Sequence, residues 1–278
     1  MPTLPPHPDR TTEPTQVEPH RAREAAESFG ADPERYDRTR PRYPRALIER
    51  IVAASPGPEV LDVGIGTGVS AEPFRVAGCR VRGVEVDARM AAFARSRGFE
   101  VEVARFEDWE PAGRRFDAVI AGMTWHWIDP AAGAAKAAGV LRPGGRLAVF
   151  WNVQQPPPEL AAAFSEVYAR VLPGTPFAAA TRDALAAYER ILAAAAAGID
   201  ATAAFTEPER WRVDSEQAYT CEQWLDQVPT FGGHSTLPAQ AMAELLQGIG
   251  AAIDDVGGGF MMRCATVALT ATIRAASP

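Results

Sequence analysis

The chain alternates between short apolar runs and longer segments whose apolar residues recur every three or four positions. The runs at 58–63, 80–86, 100–104, 116–121 and 145–151 predict strands. Between them, 68–77, 87–97 and 131–141 carry helical spacing. Strands alternating with helices predict an α/β fold, a doubly wound parallel sheet whose ligands sit at the carboxyl ends of the strands. Upstream, Arg45 to Ala54 places Leu47, Ile48 and Ile51 at helical spacing, and Arg21 to Phe29 reads as a helix ended by Gly30. Downstream, Pro156, Pro157 and Pro158 break the pattern. Residues 159–199 are alanine-rich, with Leu160, Phe164, Val167 and Val171 on one helical face. That suits a packed helical insertion, a lid over a substrate, or both. A strand at 207–220, helices at 222–228 and 239–256, a turn at 256–259 and a final strand at 260–273 follow. The first 20 residues hold six prolines and no periodicity, which predicts a disordered tail.

The chemistry starts at the end of the first strand. In Val60-Leu61-Asp62-Val63-Gly64-Ile65-Gly66-Thr67-Gly68 an apolar run carries an acid and then three glycines at alternate positions. Gly64, Gly66 and Gly68 would let the backbone turn tightly and approach a ligand where a Cβ would clash. A helix beginning there would add free N–H groups and a positive dipole end. The second strand ends at Glu85, 23 residues past Asp62, where a carboxylate can grip a ribose diol. A nicotinamide enzyme would share these features, but its fingerprint places the third glycine one residue later, at Val69. A binding protein without catalysis would keep the loop as well.

Composition narrows the class. With 278 residues, 47% of them hydrophobic, the chain is globular and can bury a full core. A net charge of −7 argues against a broad nucleic-acid surface. Of 28 basic residues only Lys136 is lysine, a compositional bias rather than a functional sign. Cys79, Cys221 and Cys264 show neither metal spacing nor a disulfide framework, so no metal is expected. No apolar run has the length of a membrane span and the first residues do not read as a signal peptide, so a cytoplasmic protein with no membrane partner is expected.

Five pieces carry a family resemblance: LDVGIGTG at 61–68, GVEVDARM at 83–90, FEDW at 106–109, FDAVIAGMTWHWID at 116–129 and VLRPGGRLAVFWN at 140–152. The stretch SFGADPERYDRTRPRYP at 28–44 matches too. In this order and spacing the chain resembles the class I methyltransferases that use S-adenosylmethionine. The His-Trp pair after the fourth strand resembles the trans-aconitate-type, small-molecule branch. The resemblance implies a Rossmann-like, seven-stranded, mostly parallel sheet with an antiparallel last strand and a helical cap insertion. It divides the chain into a tail (1–20), a cofactor-binding core with N-terminal helices (21–152), a cap (153–204) and C-terminal elements that complete the sheet (205–278). It implies S-adenosylmethionine as cofactor and a small-molecule acceptor, with an anionic one among the options and no nucleic acid.

Site residues follow by position. Asp62, Gly64, Gly66, Gly68 and Glu85 belong to the cofactor loop and ribose. Met90 would pad the adenine, or simply the core. Phe106 and Glu107 match the loop that lines the adenine, with Arg105 where the family often has an acid. Ala121 and Gly122 would contact the cofactor through their backbone. Tyr36 and Arg40 would hold the methionine carboxylate or an anionic substrate. Trp125 and Trp127 would form an aromatic wall over the sulfonium, with His126 between them as a base or a hydrogen-bond donor; packing of Trp127 and a backbone bond from His126 is the plainer alternative. Asp87 reads as a helix N-cap, and His234 as a solvated loop residue.

Overall fold

The computed structural model describes residues 28–274; the tail at 1–20 and most of the helix expected at 21–29 lie outside them. Ser28–Ala31 is a short 3₁₀ turn. Helix α1 (Pro33–Thr39) starts at Asp32, whose carboxylate accepts from Arg35 N–H at 2.9 Å. Helix α2 (Arg45–Ala53) buries Leu47, Ile48 and Ile51, as its spacing predicts.

Seven strands form one sheet: β1 (Glu59–Val63), β2 (Arg80–Glu85), β3 (Glu100–Val103), β4 (Phe116–Gly122), β5 (Leu141–Gln155), β6 (Glu209–Thr220) and β7 (Gly259–Thr272). Their order is β3-β2-β1-β4-β5-β7-β6. The first five pair in parallel; β7 runs antiparallel to both β5 and β6. Alternate residues feed two cores. Leu61, Val63, Val119, Leu147 and Val149 face one side, with α5 (Pro130–Val140) packed over them. Val60, Ala118, Ile120, Ala148 and Phe150 face the other, under α2. Burial on both faces explains why the strands read as almost continuous apolar runs.

Two helices differ from a simple reading of the crossovers. After the glycine loop, α3 (Ala71–Val76) begins three residues later than its spacing suggests, because residues 64–70 are spent on turns. Ser70 precedes it without capping it, since its hydroxyl is committed to Asp62. After β2, α4 (Ala88–Ser96) starts as expected at Asp87, whose carboxylate accepts from Arg89 N–H at 2.8 Å.

Strand β5 is longer than its apolar core. It pairs with β7 from Arg146 to Gln155 and touches β4 at Leu141 before a register shift. Beyond it come α6 (Pro158–Val171), α7 (Phe177–Arg182) and α8 (Ala184–Ala201). Helix α8 belongs to the sheet layer: Leu192, Ala195 and Ile199 join the core beside α5, and Gly198 lies so close to the Pro130 carbonyl that a Cβ would collide with it. Helix α6 instead joins α9 (Cys221–Gln227) and α10 (Ala239–Asp254), which lie between β6 and β7. Leu160, Phe164, Val167, Trp224, Leu245, Ile249 and Ile253 form their shared apolar cluster. The cap over the sheet is thus built from two separate stretches of chain.

Polar ties fix this cap. Gln154 Nε2–H donates to the Tyr219 hydroxyl, which donates to Gln227 Oε1, whose amide donates back to Gln154 Oε1, at 3.2, 3.0 and 2.9 Å. Arg35 and Arg38 of α1 pair with Asp226 of α9 at 2.9 and 2.8 Å.

Candidate functional site

The strand order reverses between β1 and β4, and the loops after their carboxyl ends bound one cavity of about 670 Å³. Its floor is the glycine loop. All three glycines have positive φ, but for different neighbours. A Cβ on Gly64 would collide with Thr124 and one on Gly68 with the Phe99 ring, so both are needed for packing. Gly66, at φ +57°, lines the cavity; a Cβ there would stand 3.5 Å from Met90 Cε, inside the cradle.

Glu85 ties this loop to β2. One carboxylate oxygen accepts from Gly66 N–H at 2.8 Å and the other from Asp87 N–H at 2.9 Å. Burial pushes the Glu85 pKa up, and these two bonds oppose the shift. Asp62 is wholly buried. One of its oxygens accepts from the Ser70 hydroxyl at 2.6 Å; Oδ1 has no partner. Burial lifts the Asp62 pKa to about 8, against the pull of Ser70. Arg40 lies 4.4 Å over the Tyr36 ring and donates to the Thr230 carbonyl, while its buried Nε has no partner. Tyr36, Arg40, Met90, Phe106 and Glu107 all line the cavity. The unpartnered guanidinium nitrogen of Arg40, the Glu85 carboxylate and the open face of Gly66 border the cavity and are a fit for a ribose-bearing ligand with a carboxylate.

Four expected contacts fall elsewhere: Asp62, wholly buried, and Gly68, packed on the Phe99 ring, line no part of the cavity. Ala121 is fully buried in the sheet and does not reach the cavity. Gly122 borders only a side cavity of about 50 Å³ beside Tyr43 and Ser70. Met123 and Thr124 take their place. Met123 holds φ +57°, a conformation that costs a non-glycine residue strain and that its sequence does not announce.

The aromatic trio also divides. Trp125–Trp127 is a single 3₁₀ turn, in which successive side chains point about 120° apart. Trp125 therefore turns into the core against Phe106, with ring centroids 6.3 Å apart, and forms no wall of the cavity. Trp127 and His126 do line it. The partner of His126 is a side chain, not backbone: Trp151 Nε1–H donates to His126 Nδ1 at 3.1 Å. Burial pushes the His126 pKa down to about 4.

The roof comes from the cap. Tyr168 and Phe177 (β5–β6 connection) and Trp224, Phe231 and His234 (β6–β7 connection) line the cavity. His234 is 1% exposed, not solvated. Its Nε2 meets the Tyr168 hydroxyl at 3.0 Å, and burial pushes its pKa down to about 4. That partnership spans 66 positions, so no local signal marks it. Tyr188 presents a hydroxyl that burial raises to about 12 and that has no hydrogen-bond partner among the described residues. The carboxylates lining the cavity are Glu85, at the end of β2, and Glu107, on the loop after β3; none comes from the roof. Among the described residues no His, Cys, Asp or Glu cluster is placed to hold a metal, and no helix is long and apolar enough to cross a membrane.

Comparison with known proteins agrees with this geometry. Residues 61–149 match a family described as a methyltransferase domain. An uncharacterized methyltransferase of Mycobacterium tuberculosis is 34% identical over 137 residues, 48% of this chain and 55% of the relative. The chain spans about half the length of that relative. A demethylmenaquinone methyltransferase of Corynebacterium urealyticum is 30% identical over 159 residues, 54% of this chain and 69% of the relative. A solved structure assigned as a type II methyltransferase from Anaeromyxobacter dehalogenans shares the fold, with a TM-score of 0.60 at 22% identity, over 85% of this chain and 99% of that one.

Proposed function

The chain belongs to the class I S-adenosylmethionine-dependent methyltransferases, and we propose that it methylates a small, largely apolar ring compound at an oxygen or at a carbon activated by one. The observation that carries this reading is the single cavity that joins the glycine loop and Glu85 to an aromatic chamber closed by both cap segments. Glu85 and Gly66 would hold the ribose, Tyr36 and Arg40 the methionine end, and Met90 and Phe106 the adenine, with Asp62 acting on the methionine ammonium from behind the loop rather than by contact. When bound, S-adenosylmethionine supplies a methyl group on a sulfonium, so that its leaving group departs as a neutral thioether.

The chain's own work is then alignment and exclusion of water. Holding the acceptor in line with the methyl can supply several kcal/mol, roughly 7–11 in ideal systems. Trp127, Tyr168 and Phe177 would clamp a flat acceptor, while Tyr188 and His126 offer polar contacts. An amine acceptor would find aromatic faces but no carboxylate in the roof. An anionic acceptor of the trans-aconitate kind would find Arg40 shared with the methionine end and Arg105 already facing Glu107 and Asp108. The Corynebacterium relative is named for a quinone-type substrate, and such a ring suits the chamber. The nicotinamide alternative falls with the family assignment, and turnover of the cofactor with any acceptor would exclude a purely binding role.

The test is a titration with S-adenosylmethionine, followed by incubation with 2-naphthol, a reduced naphthoquinone, trans-aconitate and tyramine. We expect S-adenosylhomocysteine to form with a ring alcohol and not with trans-aconitate or tyramine. Turnover confined to trans-aconitate would overturn the apolar acceptor; absence of cofactor binding would overturn the function.

A further inference from the structure

Trp151 and His126 form a side-chain pair that joins the buried sheet to the chamber. Trp151 lies on β5 and is fully buried. An indole N–H is a donor only. Facing His126 Nδ1 at 3.1 Å, it leaves that nitrogen a single role, that of acceptor. In a neutral imidazole the hydrogen must then sit on Nε2. The ring is kept neutral by its burial. Turning it over would set a carbon against the indole N–H and leave a buried donor unpaired. Nε2 has no hydrogen-bond partner among the described residues, and His126 lines the cavity.

We propose that Trp151 sets the tautomer of His126, so that His126 meets the methyl acceptor as an Nε2–H hydrogen-bond donor and not as a general base. Trp151 is a positioning residue in this scheme, acting through His126. The proposal rests on reading the chamber as the acceptor site. Its chemical content is specific. The ring's one available lone pair is held by the indole, so it cannot collect a proton from the acceptor. A hydrogen bond from Nε2–H to a phenol or enol oxygen favours the deprotonated form of that oxygen, so the acceptor binds as its oxyanion with its proton left to solvent, and the new bond to the methyl then forms as the methyl–sulfur bond breaks and a neutral thioether leaves. It also fixes the oxygen's direction relative to the methyl. The acceptor class that fits is a ring bearing a hydroxyl or enol oxygen.

The test begins without any acceptor. In the full chain labelled with ¹⁵N-histidine, two-bond proton–nitrogen correlations distinguish the tautomers, and the signal lost in His126→Gln assigns His126. We expect the Nε2–H pattern across neutral pH. Trp151→Phe should mix the tautomers at His126 while the His234 pattern stays fixed. An Nδ1–H pattern in the wild type, or an unchanged pattern in Trp151→Phe, overturns the proposal. Should Trp151→Phe fail to fold, the wild-type spectrum still decides. Binding of 2-naphthol, followed by its fluorescence, gives the second readout. His126→Gln keeps an amide N–H near the Nε2 position and should bind within about threefold of wild type, whereas His126→Leu should lose about tenfold or more. Equal binding by the leucine variant overturns the donor role. Calorimetry of the wild type with S-adenosylmethionine tests the methyltransferase reading separately, so either can fail alone.

Discussion

Asp62 should release a proton when the cofactor binds. Its carboxyl is wholly buried, Oδ1 has no partner, and burial lifts its pKa to about 8. At pH 7 a group with that pKa is protonated in about nine-tenths of molecules. An opposite charge within a few ångströms lowers a carboxyl pKa by roughly 1–3 units. If the ammonium of the cofactor brings Asp62 to about 6, only about a tenth stays protonated at pH 7, so about 0.8 proton leaves per molecule bound. The sign follows from linkage. The cofactor favours the charged carboxylate, so affinity rises with pH toward about 8 and levels above it, by up to about a hundredfold for a two-unit shift. In the free protein the raised pKa acts the other way. Its stabilising effect is full below about 4 and is lost as pH rises through about 8. Calorimetry at pH 7 in phosphate and in Tris gives the proton count from the buffer dependence of the heat. The cofactor's own amine takes up a small opposing fraction, so Asp62→Asn is the reference. Equal proton counts for wild type and variant would refute the reasoning.

Three further outcomes are expected. Gly66→Val should lose cofactor affinity at least tenfold by calorimetry, at some cost in melting temperature because valine is strained at φ +57° although its Cβ makes only an ordinary contact with Met90; Gly64→Ala should lower the melting temperature more, because it is strained at φ +68° and also strikes Thr124. Glu85→Ala removes the acceptor of two amides, so it should cost about 2–3 kcal/mol in denaturant unfolding as well as cofactor affinity, while Asp87→Ala should cost about 0.5–2 kcal/mol of stability and little affinity; the reverse ranking would contradict this placement. Tyr168→Phe leaves His234 Nε2 without its partner and should cost about 1–3 kcal/mol, with faster amide exchange around 228–238 and unchanged cofactor binding.

The strands of the core are legible because both faces of the sheet are buried, which writes apolar runs such as 116–121 straight into the sequence. The glycine loop is legible for a related reason: close backbone approach leaves no alternative to glycine. Sequence spacing is a poorer guide where the backbone leaves the regular periods. Trp125 and Trp127 look equivalent on paper and diverge in a 3₁₀ turn. Ala121 continues an apolar strand and is simply inside it, while Met123 turns out to the cavity through an unusual φ. The roof was hardest to read, because each of its ties is made to a distant segment. His234 depends on Tyr168, 66 positions away, and Gln227 on Gln154, 73 positions away.

The clasp between α1 and α9 has a consequence for how the chain folds as it is made. Arg35 and Asp226 are 191 positions apart. Synthesis delivers the N-terminal part first, and local contacts form before distant ones because long loops are entropically costly to close. Strands β1 to β5 and the glycine loop can assemble while residues beyond 221 do not yet exist. During that interval β5 is an open edge strand, since β7 has still to slot in beside it. Arg35 and Arg38 meanwhile wait without Asp226. The floor of the site is then complete while its roof is still in the ribosome.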